Sequence, residues 1–168
     1  MMVFLSTAEL PMSNNDVLRA VRYMLDLSDA RVAETIALAD PGAVLAREEV
    51  QALLKKEDEP GATACSGRML ATFLDGLVTS LRGSDPSRPP RPPEKRVDNN
   101  MVLKKLRVAF KLQDADMHEI LAAAGMPVSK PEMSALFRQP GHKNFRPCGD
   151  QLLRHFLKGL TLRVRGDG

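Results

Sequence analysis

Three side chains with reactive chemistry lie close together near the end of the chain: His142, Cys148 and His155, spaced His-x5-Cys-x6-His. Imidazole and thiolate are the usual zinc ligands, and a thiolate beside an imidazole is the usual nucleophilic pair. The set stops at three ligands, and neither CxxC nor HExxH occurs. The cysteine recurs at position 65, where no histidine accompanies it, so neither metal nor catalysis is expected. His142-Lys143-Asn144-Phe145-Arg146 then reads as a polar loop that touches a partner, with Phe145 tucked beneath it.

A broader pattern of charge surrounds these residues. Lys104, Arg107 and Lys111 recur at i, i+3, i+7, which places them on one helical face, with Lys105 beside them; Arg154, Lys158 and Arg165 fall on another. Ser129, Lys130, Arg138, His142, Lys143, Asn144 and Arg146 lie between these two groups in sequence. Cations of this density supply the phosphate contacts that dominate nucleic-acid affinity, and an ordinary solvated helix surface is the plain alternative. The candidate partners are therefore DNA or RNA, or a protein. No cofactor, membrane or small-molecule substrate is expected. Lacking Trp and holding a single Tyr, the chain has no obvious base-stacking platform.

What positions these residues is a duplication. NNDVLRAVRYMLDLSDARVAETIALA from Asn14 aligns without a gap on NNMVLKKLRVAFKLQDADMHEILAAA from Asn99. The segment from Glu49 then runs in step with that from Glu132. Residues 14–83 and 99–166 are thus two helical repeats of about 70 residues, each marginal alone and expected to lean on the other. Residues 14–83 carry 8 Lys+Arg against 11 Asp+Glu, while residues 99–166 carry 12 against 5. The first repeat is acidic and the second strongly basic. Either the halves attract each other, or only the second faces a polyanion.

Apolar spacing predicts four helices per repeat. In the first they run near 15–26, 29–39, 47–56 and 67–81, with Val17, Leu18, Val21 and Leu25 inward in the first and Met69, Leu70, Phe73, Leu74, Leu77 and Leu81 in the last. Asn14 or Asn15 is the expected N-cap. Ser129-x-x-Glu132 spells a capping box, with Pro131 tolerated in the first turn. Gly76 and Gly159 occupy equivalent mid-helix positions, where glycine costs about 1 kcal/mol relative to alanine, so close helix approach is expected there. Cys65 and Cys148 are also equivalent, which suits two copies of one buried side chain in a reducing cytoplasm better than a disulfide. Five prolines between Ser84 and Asp98 predict an extended spacer, whose PxxP spacing also suits an SH3-like groove. Residues 1–13 are expected to be disordered or extended. The fold class expected is all-α, two tandem four-helix repeats with a Pro-rich linker, in a non-enzymatic cytoplasmic protein.

The paired NN-x-VL-x-x-x-R signatures, the run PGHKNFRPCGDQLLRHFLKGL from Pro140 and the closing Arg82-Gly83 and Arg165-Gly166 together resemble the YehS-like family of bacterial proteins, built from two copies of a domain of unknown function (domain of unknown function 1456). The resemblance implies a two-repeat architecture and a bacterial setting, and carries no activity or ligand. A weaker likeness is to helix-turn-helix domains of the phage-repressor type. There VLKKLRVAFKL would lead, DADMHEILAAAG would position, and SKPEMSALFR would recognise, with Gly125 as turn glycine. Leu121 stands where that motif has a small residue.

Overall fold

The structure is a computed structural model that describes residues 11–87 and 91–166; the reading of residues 1–10 lies outside the described residues. Eight helices and no strand occur among them. In the first repeat α1 is Asn14–Leu25, α2 Asp29–Ala39, α3 Arg47–Leu54 and α4 Gly67–Arg82. In the second α5 is Asn99–Ala109, α6 Asp114–Ala123, α7 Lys130–Leu136 and α8 Asp150–Arg165.

Five of the eight helices, α1, α2, α4, α5 and α7, begin where a serine or aspartate side chain takes an orphan amide. Ser13, not either asparagine, caps α1, with its hydroxyl accepting from Asp16 N and the Asp16 carboxylate taking Ser13 N. Asp98 holds the matching position on α5. The Ser129 box forms as spelled, Glu132 N donating to Ser129 Oγ at 3.2 Å and Ser129 N to Glu132 Oε1 at 3.1 Å.

The asparagines instead do tertiary work. Asn15 is buried, its amide nitrogen donating to the carbonyls of Leu53 and Thr63 while its oxygen accepts from Cys65 N. Asn100 repeats all three bonds with Leu136, Arg146 and Cys148. Asn14 and Asn99 add a bond each to the carbonyls of Cys65 and Cys148. In both repeats the pair thereby pins the first helix to the loop entering the fourth, satisfying backbone groups that no helix can.

Within each repeat the second and fourth helices pack directly, α2 on α4 and α6 on α8. Glycine makes this possible: a Cβ on Gly76 would lie 1.8 Å from the Thr35 carbonyl oxygen, and one on Gly159 2.3 Å from that of Ile120. The repeats join by exchange, α4 against α5 and α8 against α1. Each repeat thus offers its last helix to the other's first, the arrangement of a two-fold dimer interface within one chain. The buried side chains of both repeats form one continuous core, capped by Phe73 in α4 and its equivalent Phe156 in α8, both fully buried. Met24 takes the inward place expected of Leu25, and Leu81 is exposed because it falls in the last turn of α4, beyond that core.

The last residues of the expected spacer are docked rather than free. Arg96 Cα would lie 3.1 Å from a Cβ on Gly67, Val97 packs on the core, and Glu94 pairs with Lys105. Residues 88–90 are not described. No helix is long and apolar enough to cross a membrane among the described residues.

Candidate nucleic-acid interface

Because the repeats are copies, each candidate cation has a counterpart that shows what the shared fold requires. Arg107 donates Nε to the Leu112 carbonyl at 3.1 Å and pairs Nη2 with Asp114 at 2.6 Å. Arg22 does the same in the first repeat with the Leu27 carbonyl and Asp29. Arg107 also lies over the Phe137 ring, 4.7 Å from its centroid. Its first task is to tie α5 to the start of α6.

Lys105 faces the seam between repeats. Its ammonium sits 2.6 Å from Asp75 on α4 and 3.1 Å from Glu94, and only 15% of its side chain is exposed. Arg146 is engaged by Glu132. Arg163, which the charge pattern did not single out, bridges Asp116 and Glu119. Arg165 crosses to the first repeat and donates to the Tyr23 carbonyl.

The remaining lysines behave differently. Lys104, Lys111, Lys130, Lys143 and Lys158, with Arg138, are exposed and have no side-chain partner among the described residues. For Lys104 the duplication explains why. Its counterpart Arg19 is held by Asp16 and by the Lys55 carbonyl, but the second repeat has Met101 in place of that aspartate. Lys111 occupies a left-handed backbone position, φ 54°, that Asp26 fills in the first repeat at φ 53°. The two copies thus carry opposite charges on the same left-handed backbone.

Lys104, Arg107 and Lys111 line one cleft of about 490 Å³, walled by Val108, Leu112, Gln113 and Phe137 and closed from the other repeat by Arg82. Arg138 follows Phe137 directly in sequence. Arg154 lines a different cleft, on the α1–α8 seam, whose other walls include Asp16, Arg19, Lys56, Glu57 and Asp58. Lys158 lies on that same helix. The two helical faces of cations read from the sequence therefore belong to opposite seams of the molecule, one without a lining acid and one with three.

Ser129 and Lys130 open α7, a helix of seven residues, after a turn in which Gly125 adopts φ 81°. His142, Lys143 and Asn144 form the exposed loop beyond it. Asn144 N donates to His142 Nδ1 at 3.0 Å, which closes the loop locally, and Phe145 is half-buried.

The thiols lie in the core rather than on this surface. Cys65 and Cys148 are both buried and unpaired, and burial pushes each up to about 11. At neutral pH each is therefore held as a protonated thiol within the core, the environment of a structural rather than a reactive cysteine. Nδ1 of His155 lies 2.8 Å from the Gln151 carbonyl, in its own helix, and no group of three or more His, Cys, Asp or Glu is placed to hold a metal ion among the described residues.

A family model described as protein of unknown function (DUF1456) matches residues 14–83 and again 99–166. The uncharacterized protein YehS of Escherichia coli (strain K12) is 46% identical over 152 residues, which cover 90% of this chain and 96% of that protein. No solved structure gives a significant match.

Proposed function

The chain belongs to the DUF1456 family of proteins of unknown function, and on that premise we propose that it is a non-enzymatic nucleic-acid-binding or regulatory module. The basic second repeat supplies phosphate contacts, and the first braces it. The observation that carries this reading is the set of six exposed cations on the second repeat, Lys104, Lys111, Lys130, Arg138, Lys143 and Lys158, without side-chain partners among the described residues. Lysines held by neighbouring carboxylates would be neutralised locally; these are available to a polyanion. Recognition is electrostatic, with base readout limited to what Ser129 and Lys130 at the start of α7 can reach. Fluorescence anisotropy with a labelled duplex DNA and a labelled RNA tests it. Binding is expected at low salt, with affinity falling steeply as salt rises and K104E/K111E weakening it about tenfold or more. Absence of binding to both probes at low salt removes the reading.

A second reading, a protein-binding adaptor, is supported by a groove in the acidic repeat. Leu45, Ala52, Leu53 and Met69 line it under a rim of Glu48 and Glu49, and neighbouring Val44 is 84% exposed. Capture of a protein partner that survives nuclease treatment and is lost on mutating this groove would favour it.

A further inference from the structure

The open cleft between α4 and α5 differs from a plain basic surface in being walled from both repeats and in a charge pattern absent from its own duplicate. Arg82, from the acidic repeat, reaches across the seam and donates Nη1 to the Val108 carbonyl at 3.0 Å, so its guanidinium is held at the cleft edge. Arg107 is fixed by three contacts, to Phe137, the Leu112 carbonyl and Asp114. Lys104 and Lys111 have no such restraint. Two anchored guanidinium groups and two ammonium groups without side-chain partners among the described residues thus face about 490 Å³ of space, a size suited to a small ligand group. Asp114 offsets one of these four charges through Arg107, and no acid is among the lining residues.

The mirror position acts as an internal control. There Arg165 corresponds to Arg82 and donates to the Tyr23 carbonyl, Arg22 to Arg107, Arg19 to Lys104 and Asp26 to Lys111. The two arginines that build the walls are kept in both copies. Arg19 is engaged by Asp16, however, and Asp26 puts a carboxylate where the second repeat has an ammonium. The scaffold is duplicated, and the net positive charge is confined to one seam.

We propose that the α4–α5 cleft is a discrete phosphate-binding site, composed by both repeats, in which Lys104 and Lys111 with Arg82 hold one phosphate or phosphodiester group. This deepens the nucleic-acid reading by giving it an anchoring phosphate, and it draws the acidic repeat into binding through Arg82. The shared chemistry is a tetrahedral phosphate with at least one negative charge. It can be a backbone phosphodiester or a free phosphate compound.

The test is isothermal titration of the full chain with inorganic tripolyphosphate at low ionic strength, alongside anisotropy with duplex DNA and RNA. One tripolyphosphate per chain is expected. K111D, which installs the residue that the first repeat carries at the same left-handed position, should weaken binding about tenfold, as should K104E. R68E, an equal change of charge on an exposed residue of α4 outside the cleft, should leave it within about twofold; circular dichroism verifies that all variants are folded. Equal loss in R68E and K111D, or no saturable tripolyphosphate binding to the native chain, overturns the site. Binding of DNA or RNA that neither tripolyphosphate competes with nor K111D weakens also overturns it, while leaving the nucleic-acid reading intact. Saturable tripolyphosphate binding with no DNA or RNA binding supports the site for a free phosphate compound and removes the nucleic-acid reading.

Discussion

The Arg165 guanidinium lies over the Tyr23 ring, 4.3 Å from its centroid, and donates Nη1 to the Tyr23 carbonyl at 2.7 Å. One residue therefore ties the end of the second repeat to the first helix of the first. Its duplicate, Arg82, makes the same backbone bond to Val108, where a valine offers no ring. The two arginines mark equivalent points on the two seams and expose the symmetry that the charges conceal.

This relationship predicts how Tyr23 should tolerate change. Neither contact uses the phenol hydroxyl, so Tyr23→Phe should leave stability within about 0.5 kcal/mol. Tyr23→Ala removes the ring while keeping the carbonyl, and should cost about 0.5–1 kcal/mol, the worth of an exposed cation–π contact. Urea denaturation of the two variants provides the measurement. Equal losses would mean that the hydroxyl, not the ring, matters.

The buried asparagines predict a larger effect. Asn15→Ala strands two carbonyls and one amide in the interior, and should destabilise by about 2–4 kcal/mol. Asn15→Asp should cost at least as much, since its second oxygen would face the Leu53 and Thr63 carbonyls. Asn14→Ala gives up one partly buried bond and should cost about 1 kcal/mol. Denaturation midpoints that rank Asn14→Ala as the worst of the three would refute this division of labour.

Gly76→Ala separates helix propensity from packing. In an exposed helix the change would stabilise by about 1 kcal/mol. Here the new methyl would sit 1.8 Å from the Thr35 oxygen, which α2 cannot relieve without leaving α4. A loss of about 3 kcal/mol or more is expected, with Gly159→Ala milder because its clearance is 2.3 Å. Thermal denaturation of both proteins decides the matter, and a rise in Tm for either would contradict the close approach.

Features written in local spacing were legible beforehand. Apolar periodicity located all eight helices, Ser129 and Glu132 announced their box, and two glycines at one repeat position announced the tight contact. The roles of Asn15 and Asn100 were not legible, because their partners lie 36 to 50 residues away and are mostly backbone groups that no sequence pattern marks. Lys105 looked like any other surface lysine until Asp75 was placed beside it. In the sequence Arg82 stands out only as part of a closing Arg-Gly pair. Its place in the cleft depends on how α4 meets α5, which hydrophobic spacing within each helix leaves open. Comparing the repeats position by position would have flagged Lys111 against Asp26, since an exchange of charge sign at a matched site is visible without coordinates.

The thiols predict how the protein responds to alkali. Burial raises Cys65 and Cys148 from an ordinary value of 9.0 to about 11. Well below pH 9 both are protonated whether the chain is folded or not, so they add no pH dependence there. Between about pH 9 and 11 the unfolded chain releases these protons and the folded chain does not, which favours unfolding. Stability should therefore fall as pH rises through this window, and a Cys65→Ala/Cys148→Ala double variant should show a shallower decline over it. In the native protein at pH 8 a thiol reagent such as DTNB should react slowly with both cysteines, and promptly once denaturant is added. Fast reaction of either thiol under native conditions would place it at the surface, and would reopen the nucleophile that its burial now removes.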